Sequence, residues 1–168
     1  MRDLPTRKNI RLKGYDYSKA GCYFVTICIK ERHNIFWDAQ TVGAACGRPS
    51  DDCRPVLSET GLLIDTELKR IANIYGCVNI DNYVIMPNLV HMIISLSVIQ
   101  NADGRPRAAP TISRIINQFK GSISKQLGYS IWQKLFHDHI IRNDEVYQRI
   151  WSYIDENPMR WTEDKYFV

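Results

Sequence analysis

Two segments of the sequence carry side chains suited to phosphoryl chemistry. His91 lies in an apolar run, 90–96, that is typical of a β-strand, and strand alternation places Leu89 on the same face as His91. Tyr153 and Asn157 are four residues apart in a helical segment, so a phenol and an amide oxygen project from one side. A tyrosine can attack phosphorus, and imidazole nitrogens bind divalent cations. The pattern is compatible with a metal-assisted tyrosine nucleophile.

Spacing alone nevertheless favours structural roles for these residues. A histidine in an apolar strand is more often a packed, hydrogen-bonded core residue than a ligand. Tyr153 lies near an apolar helical stripe, which is formed by Val146, Ile150 and Ile154. His137 and His139 share one strand face and could form a second ligand pair, although surface or core roles are commoner for such residues. Spacing therefore predicts no more than a globular α+β domain.

Length and charge bound the possible architectures. With 168 residues and 45% hydrophobic content, the chain is long enough for one well-packed core, so we expect a single domain over 1–168. The N-terminal arm, 1–19, holds six basic and two acidic residues, and its excess equals the net charge of +4. A basic arm with Tyr15 and Tyr17 suits a phosphate backbone with bases stacked on rings, although a solvated tail is the commoner explanation.

Cysteine usage and hydropathy exclude several classes of protein. The five cysteines show no paired C-x-x-C spacing and no accompanying histidine cluster, so neither a zinc site nor a disulfide framework is predicted. The N-terminus lacks the apolar run of a signal peptide, and no stretch of about 18 apolar residues is present. We therefore expect a cytoplasmic protein without a membrane partner.

The order of the predicted elements indicates a fold class. Strands are predicted at 22–29, 78–86, 90–96 and 135–142 from their β-branched and apolar content. Helices are predicted after Ser58 or Thr60 up to Gly76, from Ile112 onward, and from Asn143 or Asp144 to Asn157. Residues 40–56 are predicted as an irregular connection and 100–110 as a flexible basic link. The order β-α-β-β-α-β-α predicts an α+β, ferredoxin-like sheet with an added C-terminal helix.

Four segments in this order resemble the single-tyrosine HUH transposases, and more narrowly the REP-associated tyrosine transposases. They are GCYFVTI at 21–27, YVIMPNLVHMII at 83–94, WQKLFHDHIIRN at 132–143 and WSYIDENP at 151–158. The arm sequence IRLKGYDYS at 10–18 is similar to that of the narrower group. The resemblance extends from about residue 7 to residue 167, and it implies a ferredoxin-like core.

The resemblance also implies roles for the residues introduced above. In that family two strand histidines and a polar side chain on the tyrosine helix bind Mg²⁺ or Mn²⁺. By position, His91 matches the second histidine, Asn157 the third ligand and Tyr153 the nucleophile. Tyr153 would then form a 5′-phosphotyrosine and release a 3′-OH, which cuts and later rejoins single-stranded DNA. The implied activity is that of a DNA transposase.

The resemblance further implies a DNA partner. In the family, the arm and the second helix contact folded single-stranded DNA at the foot of a hairpin. The matching DNA-binding candidates in this chain are Arg7, Arg11, Lys13, Tyr15, Tyr17, Arg114 and Lys120. We expect a bacterial, nucleoid-associated protein that acts as a monomer or a homodimer.

The chain departs from the family pattern at Leu89, where the first histidine is expected. Leucine cannot bind a metal, and Asn88 points to the opposite strand face. The implied site is thereby reduced to one imidazole and one amide, so we expect cleavage to be weak or absent. The alternative to a functional transposase is a homologue that only binds DNA.

Overall fold

A computed structural model of the protein describes residues 16–17, 19–38, 56–100, 106–107 and 110–161. The elements that form the fold are β1 (Gly21–Cys28), α1 (Glu59–Ile74), β2 (Val78–Ile85), β3 (Leu89–Leu96), α2 (Ile112–Leu127), β4 (His137–Ile141) and α3 (Asp144–Glu156). A short 3₁₀ turn, Lys30–Arg32, follows β1. The predicted order of strands and helices is confirmed.

The four strands form one antiparallel sheet in the order β2-β3-β1-β4. β1 and β3 are therefore central, as expected for strands that are apolar on both faces, and β4 is an edge strand. With α1 and α2 as the two connections, this is the ferredoxin-like α+β arrangement, and that prediction is confirmed.

The main core lies between one face of the sheet and helices α1 and α2. Tyr23, Val25 and Ile27 alternate along β1 and are fully buried. The apolar stripes of the two helices bury against the same cluster, through Ile64 and Leu68 of α1 and through Ile115, Ile116, Phe119 and Ile123 of α2.

Both helices begin at hydroxyl caps. Ser58 Oγ accepts a hydrogen bond from the backbone N–H of Gly61, and Thr111 Oγ1 accepts one from the backbone N–H of Arg114.

Helix α3 packs on the opposite face of the sheet. It begins where Asn143 Oδ1 accepts a hydrogen bond from the backbone N–H of Val146. Ile154 buries there against Ile93 of β3 and Ile141 of β4. Because β3 residues 89, 91 and 93 point to this face, the added helix covers the strand positions of the candidate site.

Some predicted boundaries differ from those of the structure. Helix α1 ends at Ile74 with Tyr75 as its cap, one residue before the predicted Gly76. Within the segment predicted as a basic link, Gln100 pairs with Pro106 and Ile99 with Arg107 in a short antiparallel ribbon. The irregular connection at 40–56 lies outside the described residues except for Val56. Within the described part of the chain, no helix is long and apolar enough to cross a membrane.

Candidate functional site

The centre of the candidate site is the imidazole of His91, which β3 presents toward α3. The side chain is only 2% exposed. Thr26 stands opposite His91 in the β1–β3 register, and its Oγ1 lies 2.8 Å from His91 Nδ1. This hydrogen bond fixes one ring nitrogen and directs Nε2 toward the helix.

Tyr153 of α3 meets the other side of the same ring. Its hydroxyl lies 3.4 Å from His91 Nε2, at the long end of hydrogen-bond distances. Phe24 stacks on the imidazole at 5.4 Å between ring centroids and meets the Tyr153 ring edge-on at 6.1 Å. Tyr153 is 41% exposed, so it is not the core aromatic that helical spacing favoured. A reachable phenol beside an imidazole is an arrangement typical of an activated nucleophile.

Asn157 follows Tyr153 by one helical turn and caps the C-terminal end of α3. It is 4% exposed, and its Oδ1 is buried without a hydrogen-bond partner among the described residues. A buried acceptor normally has a partner, because its desolvation costs about 1–3 kcal/mol. An unsatisfied amide oxygen at this position fits the ligand role that the sequence resemblance implies for Asn157.

Leu89 occupies the position at which the resemblance implies a first histidine ligand, and leucine cannot bind a metal. Its side chain is fully buried on the same sheet face as His91, in a hydrophobic cluster that also contains Cys28, Trp37 and Trp161. The Asn88 amide donates to the backbone oxygen of Arg32, so this neighbour does not replace the missing ligand. Within the described ranges, no group of three His, Cys, Asp or Glu side chains could hold a metal ion. The residues present do not complete the Mg²⁺ or Mn²⁺ site that the resemblance implies.

Three comparisons place the fold among known proteins. No protein-family model matches the chain. A Haemophilus influenzae protein of uncharacterised function is 29% identical over 181 residues, which cover 96% of this chain and 93% of the relative. A solved REP-associated tyrosine transposase bound to a REP hairpin superposes with a TM-score of 0.58 at 19% identity, over 92% of this chain and 73% of that one. The chain shares this transposase's fold.

A second solved structure is less similar. It is a candidate transposase from Deinococcus radiodurans R1, which superposes with a TM-score of 0.49 at 16% identity. The superposition covers 87% of this chain and 95% of the other. The superposition on the hairpin-bound transposase, at 19% identity, shows the fold alone, so the roles of individual residues rest on the geometry of the site.

The helix that carries Tyr153 is fastened to the sheet by polar contacts that the sequence did not reveal. A bulge in β2 between Ile80 and Asn82 accommodates Asp81, whose carboxylate accepts from the Tyr147 hydroxyl at 3.1 Å and from the Ser95 hydroxyl at 2.8 Å. Burial and the Asp81 carboxylate raise the pKa of Tyr147 to about 12. These contacts position α3 over β3.

Thr26 and Phe24 were also missed as members of the site. Both lie on β1, and only the register of β1 against β3 brings them beside His91. The sequence signal that could have found them is the alternation of β1, which puts Phe24 and Thr26 on the face away from Tyr23 and Val25. That signal does not tell which residue of the neighbouring strand stands opposite.

The two helix residues predicted to bind DNA have different environments. Arg114 is exposed near the start of α2. Lys120 is 8% exposed, and its ammonium donates to the backbone oxygens of Gln133 at 3.0 Å and Leu135 at 3.4 Å. Burial lowers the pKa of Lys120 to about 8. Of these two cations, Arg114 is therefore the one that is exposed to solvent.

The remaining predicted residues lie around the edge of the sheet or outside it. Tyr17 is half-buried, with its ring 6.2 Å from that of Tyr23. His137 and His139 are both exposed on β4, opposite Thr26 and Phe24 respectively. Arm residues Arg7, Arg11, Lys13 and Tyr15 lie outside the described residues.

Proposed function

We propose that this protein is a transposase-like protein that binds folded single-stranded DNA, specifically hairpins of the REP type. The observation that carries the proposal is the pairing of an exposed Tyr153 with the buried His91, at 3.4 Å, on a fold shared with a hairpin-bound tyrosine transposase. Helical spacing alone favoured structural roles for both residues, whereas the motif resemblance implies that Tyr153 is the nucleophile and His91 a metal ligand. Agreement between the motifs and the fold supports the assignment.

The DNA would be held by side chains away from the Tyr153–His91 pair. Arg114 is exposed close to the N-terminal end of α2, where unpaired backbone N–H groups and the helix dipole favour a phosphate. Arg7, Arg11 and Lys13 supply further charge in the arm. Tyr15 and Tyr17 offer aromatic faces on which unpaired bases can stack.

Strand cleavage is proposed to be weak or absent. Displacement at phosphorus develops negative charge on the departing 3′ oxygen, and this charge has to be stabilised. Leu89 offers no donor there, and His91 with Asn157 is an incomplete ligand set. Binding does not depend on that set, because the proposed contacts are on other elements.

The direct test of binding is fluorescence anisotropy with a labelled DNA hairpin that carries an unpaired flank. An unfolded oligonucleotide of equal length and composition is the matched control ligand. We expect the hairpin to bind at least about tenfold more tightly. We also expect its affinity to fall steeply between about 50 and 200 mM salt, as phosphate contacts release counterions. Equal affinity for both ligands, or no salt-sensitive binding, would contradict the proposal.

A second candidate function is a DNA transposase that still cuts and rejoins strands. The exposed hydroxyl of Tyr153 beside His91 Nε2 favours it. The Tyr153 oxygen would form a bond to phosphorus as the hydroxyl proton passes to His91 Nε2. The bond between phosphorus and the 3′ oxygen would break, that oxygen would take up a proton from solvent to leave as a hydroxyl, and the 5′ phosphate would remain on the tyrosine. A covalent adduct formed by the unchanged protein with Mn²⁺, and absent in Tyr153→Phe, would establish this candidate over the binding-only form.

A further inference from the structure

Two histidines outside the Tyr153–His91 pair lie two residues apart on the edge strand of the sheet. His137 and His139 both belong to β4, and both are exposed. Their spacing alone left core, surface and ligand roles open, and their exposure excludes the core. We call them the β4 histidine pair.

The packing of β4 shows which face of the sheet carries the pair. Ile140 packs against the main core cluster, on the side of α1 and α2, whereas Ile141 belongs to the smaller cluster under α3. Because side chains alternate along a strand, the β4 histidine pair shares the face of Ile141, and Asp138 shares that of Ile140. The two imidazoles therefore lie side by side on the face that α3 partly covers.

The pair has the spacing of a chelate. Residues i and i+2 of a strand are about 6.6–6.8 Å apart along it and point the same way. An imidazole extends far enough from the backbone for two such rings to lean toward one ion, at Zn–N distances of about 2.0–2.1 Å. Pairing with β1, opposite Thr26 and Phe24, holds the backbone of both positions in place. A strand with fixed pairing thus preorganises the two rings for one ion.

The two rings are also available for ligation. The chain has four histidines, and the other two are engaged. His91 is buried and hydrogen-bonded to Thr26, and His33 Nε2 lies 3.0 Å from a carboxylate oxygen of Glu31. Among the described residues, neither ring of the β4 histidine pair takes part in a hydrogen bond or an ion pair. Within that part of the chain, no internal contact has to break before an ion binds the pair.

The donor atoms select the class of ion. Imidazole nitrogen suits Zn²⁺, Ni²⁺ and Cu²⁺, whereas Mg²⁺ and Mn²⁺ prefer carboxylate, carbonyl and water oxygens. In the ranges that the structure describes, no third His, Cys, Asp or Glu completes a group of metal ligands. Water would therefore fill the remaining coordination positions of an ion held by the pair.

The pair is separate from the centre at His91. Strand β1 lies between β3 and β4, so two strand spacings put His137 roughly 10 Å from His91. Both residues stand opposite Thr26, which lies between them and contacts the His91 ring. An ion on β4 is therefore distinct from an ion bound by His91 and Asn157, and it does not depend on the residue at position 89.

We propose that the β4 histidine pair binds one divalent ion of the zinc class, Zn²⁺, Ni²⁺ or Cu²⁺, through one nitrogen of each ring. The proposal does not depend on DNA binding or on strand cleavage. Neither histidine is among the residues proposed to contact DNA or to bind Mg²⁺ or Mn²⁺.

The experiment titrates the full chain with ZnCl₂ and follows binding by isothermal titration calorimetry and by NMR of the histidine rings. NMR identifies the ligands, which calorimetry alone does not, because the five cysteines can also bind Zn²⁺. His137→Gln and His139→Gln each remove one imidazole from an exposed position, so the fold should be kept. His33→Gln is the matched control, since it removes an exposed imidazole that lies outside β4.

We expect the rings of His137 and His139 to shift together and to saturate at one ion per chain, while those of His33 and His91 do not follow. Each β4 variant should weaken Zn²⁺ binding at this site by more than about tenfold, because even the loss of an outer-shell partner costs about 10–100-fold. In His137→Gln the ring of His139 should shift only at correspondingly higher Zn²⁺ concentration. His33→Gln should bind like the unchanged protein, and MgCl₂ should shift neither ring of the pair.

Three results would overturn the site. One is Zn²⁺ binding that shifts neither ring of the pair. Another is a His139 ring that responds at the same Zn²⁺ concentration with and without His137, which would mean that the two rings do not share an ion. The third is an equal response to MgCl₂, which would contradict selection by nitrogen donors.

Discussion

Replacing Leu89 by histidine restores the second imidazole that the family pattern places there, and its consequence for stability can be worked from burial. Leu89 is fully buried, so its removal lowers the free energy of unfolding by about 2 kcal/mol of hydrophobic stabilisation. Burying an imidazole in its place costs a further ~1–2 kcal/mol when its nitrogens lack partners. We expect the free energy of unfolding of Leu89→His without metal to be about 3 kcal/mol lower than that of the unchanged protein. This difference lowers Tm by roughly 6–12 °C for a chain of this size.

A cation should reverse most of that loss. In Leu89→His the new imidazole and His91 would occupy one strand face, and Asn157 Oδ1 is a buried acceptor without a partner among the described residues. A ligand that binds only the folded state at about 100 times its Kd stabilises it by about 2.7 kcal/mol. Saturating Mn²⁺ should therefore raise the Tm of Leu89→His by roughly 5–11 °C and leave the unchanged protein nearly unaffected.

The assay is thermal unfolding followed by circular dichroism, in EDTA and in MnCl₂. Leu89→Gln is the matched control for a buried polar group without an imidazole, and it should be destabilised without a response to Mn²⁺. Adding Asn157→Ala to Leu89→His should abolish most of the metal response. Equal stabilisation of the unchanged protein by Mn²⁺, or a response that survives loss of Asn157, would refute this ligand set. Should Leu89→His fail to fold, electron paramagnetic resonance of Mn²⁺ with the unchanged protein decides, since tight binding would refute an incomplete site.

Three further outcomes follow from individual contacts. Thr26→Val removes the hydrogen bond to Nδ1 of His91, and since a buried ring nitrogen then lacks its partner, urea unfolding should report a loss of about 1–3 kcal/mol, whereas Thr26→Ser should lose less. Gly61→Ala would place a Cβ 2.2 Å from the backbone oxygen of Phe36, so it should destabilise the protein by at least about 1–3 kcal/mol despite the better helix propensity of alanine, and an unchanged midpoint would contradict that packing. Burial lowers the pKa of Lys120 to about 8, so between about pH 8 and 10 the unfolded chain binds more protons than the folded protein. The free energy of unfolding, measured relative to that of Lys120→Met, should therefore rise by about 2 kcal/mol over this pH range. A difference between the two proteins that does not change with pH would be incompatible with that pKa.

Much of the fold could be predicted because its signals are local. The period of 3.6 in α2, with Ile112, Ile115, Ile116 and Phe119, determines a face that has to be buried, and the structure buries all four. The hydroxyl and amide caps at Ser58 and Asn143 marked two helix starts for the same reason. The element order then restricted the sheet to few topologies, of which the ferredoxin-like one was found.

The contacts of the site could not be predicted, because they depend on register and on long-range packing. His91 faces Thr26 only through the β1–β3 pairing, and the bulge at Asp81 decides how Tyr147 fastens α3. The environment of Lys120 also depends on long-range packing. The resemblance implied a DNA contact for Lys120. In the structure its ammonium donates to the backbone oxygens of Gln133 and Leu135, which lie on a segment that no local pattern connects to α2.

Leu89 and the residues proposed to contact DNA lie in separate parts of the structure. Leu89 is fully buried at the start of β3, whereas Arg114 is exposed near the start of α2. Because Leu89 is buried in the core and Arg114 is exposed on a different element, their free-energy effects should add within about 0.5 kcal/mol. The double variant Leu89→His with Arg114→Ala should therefore lose hairpin affinity to the same extent as Arg114→Ala alone. A larger loss would mean that position 89 contributes to binding, and the division between a disabled centre and an intact binding surface would then be wrong.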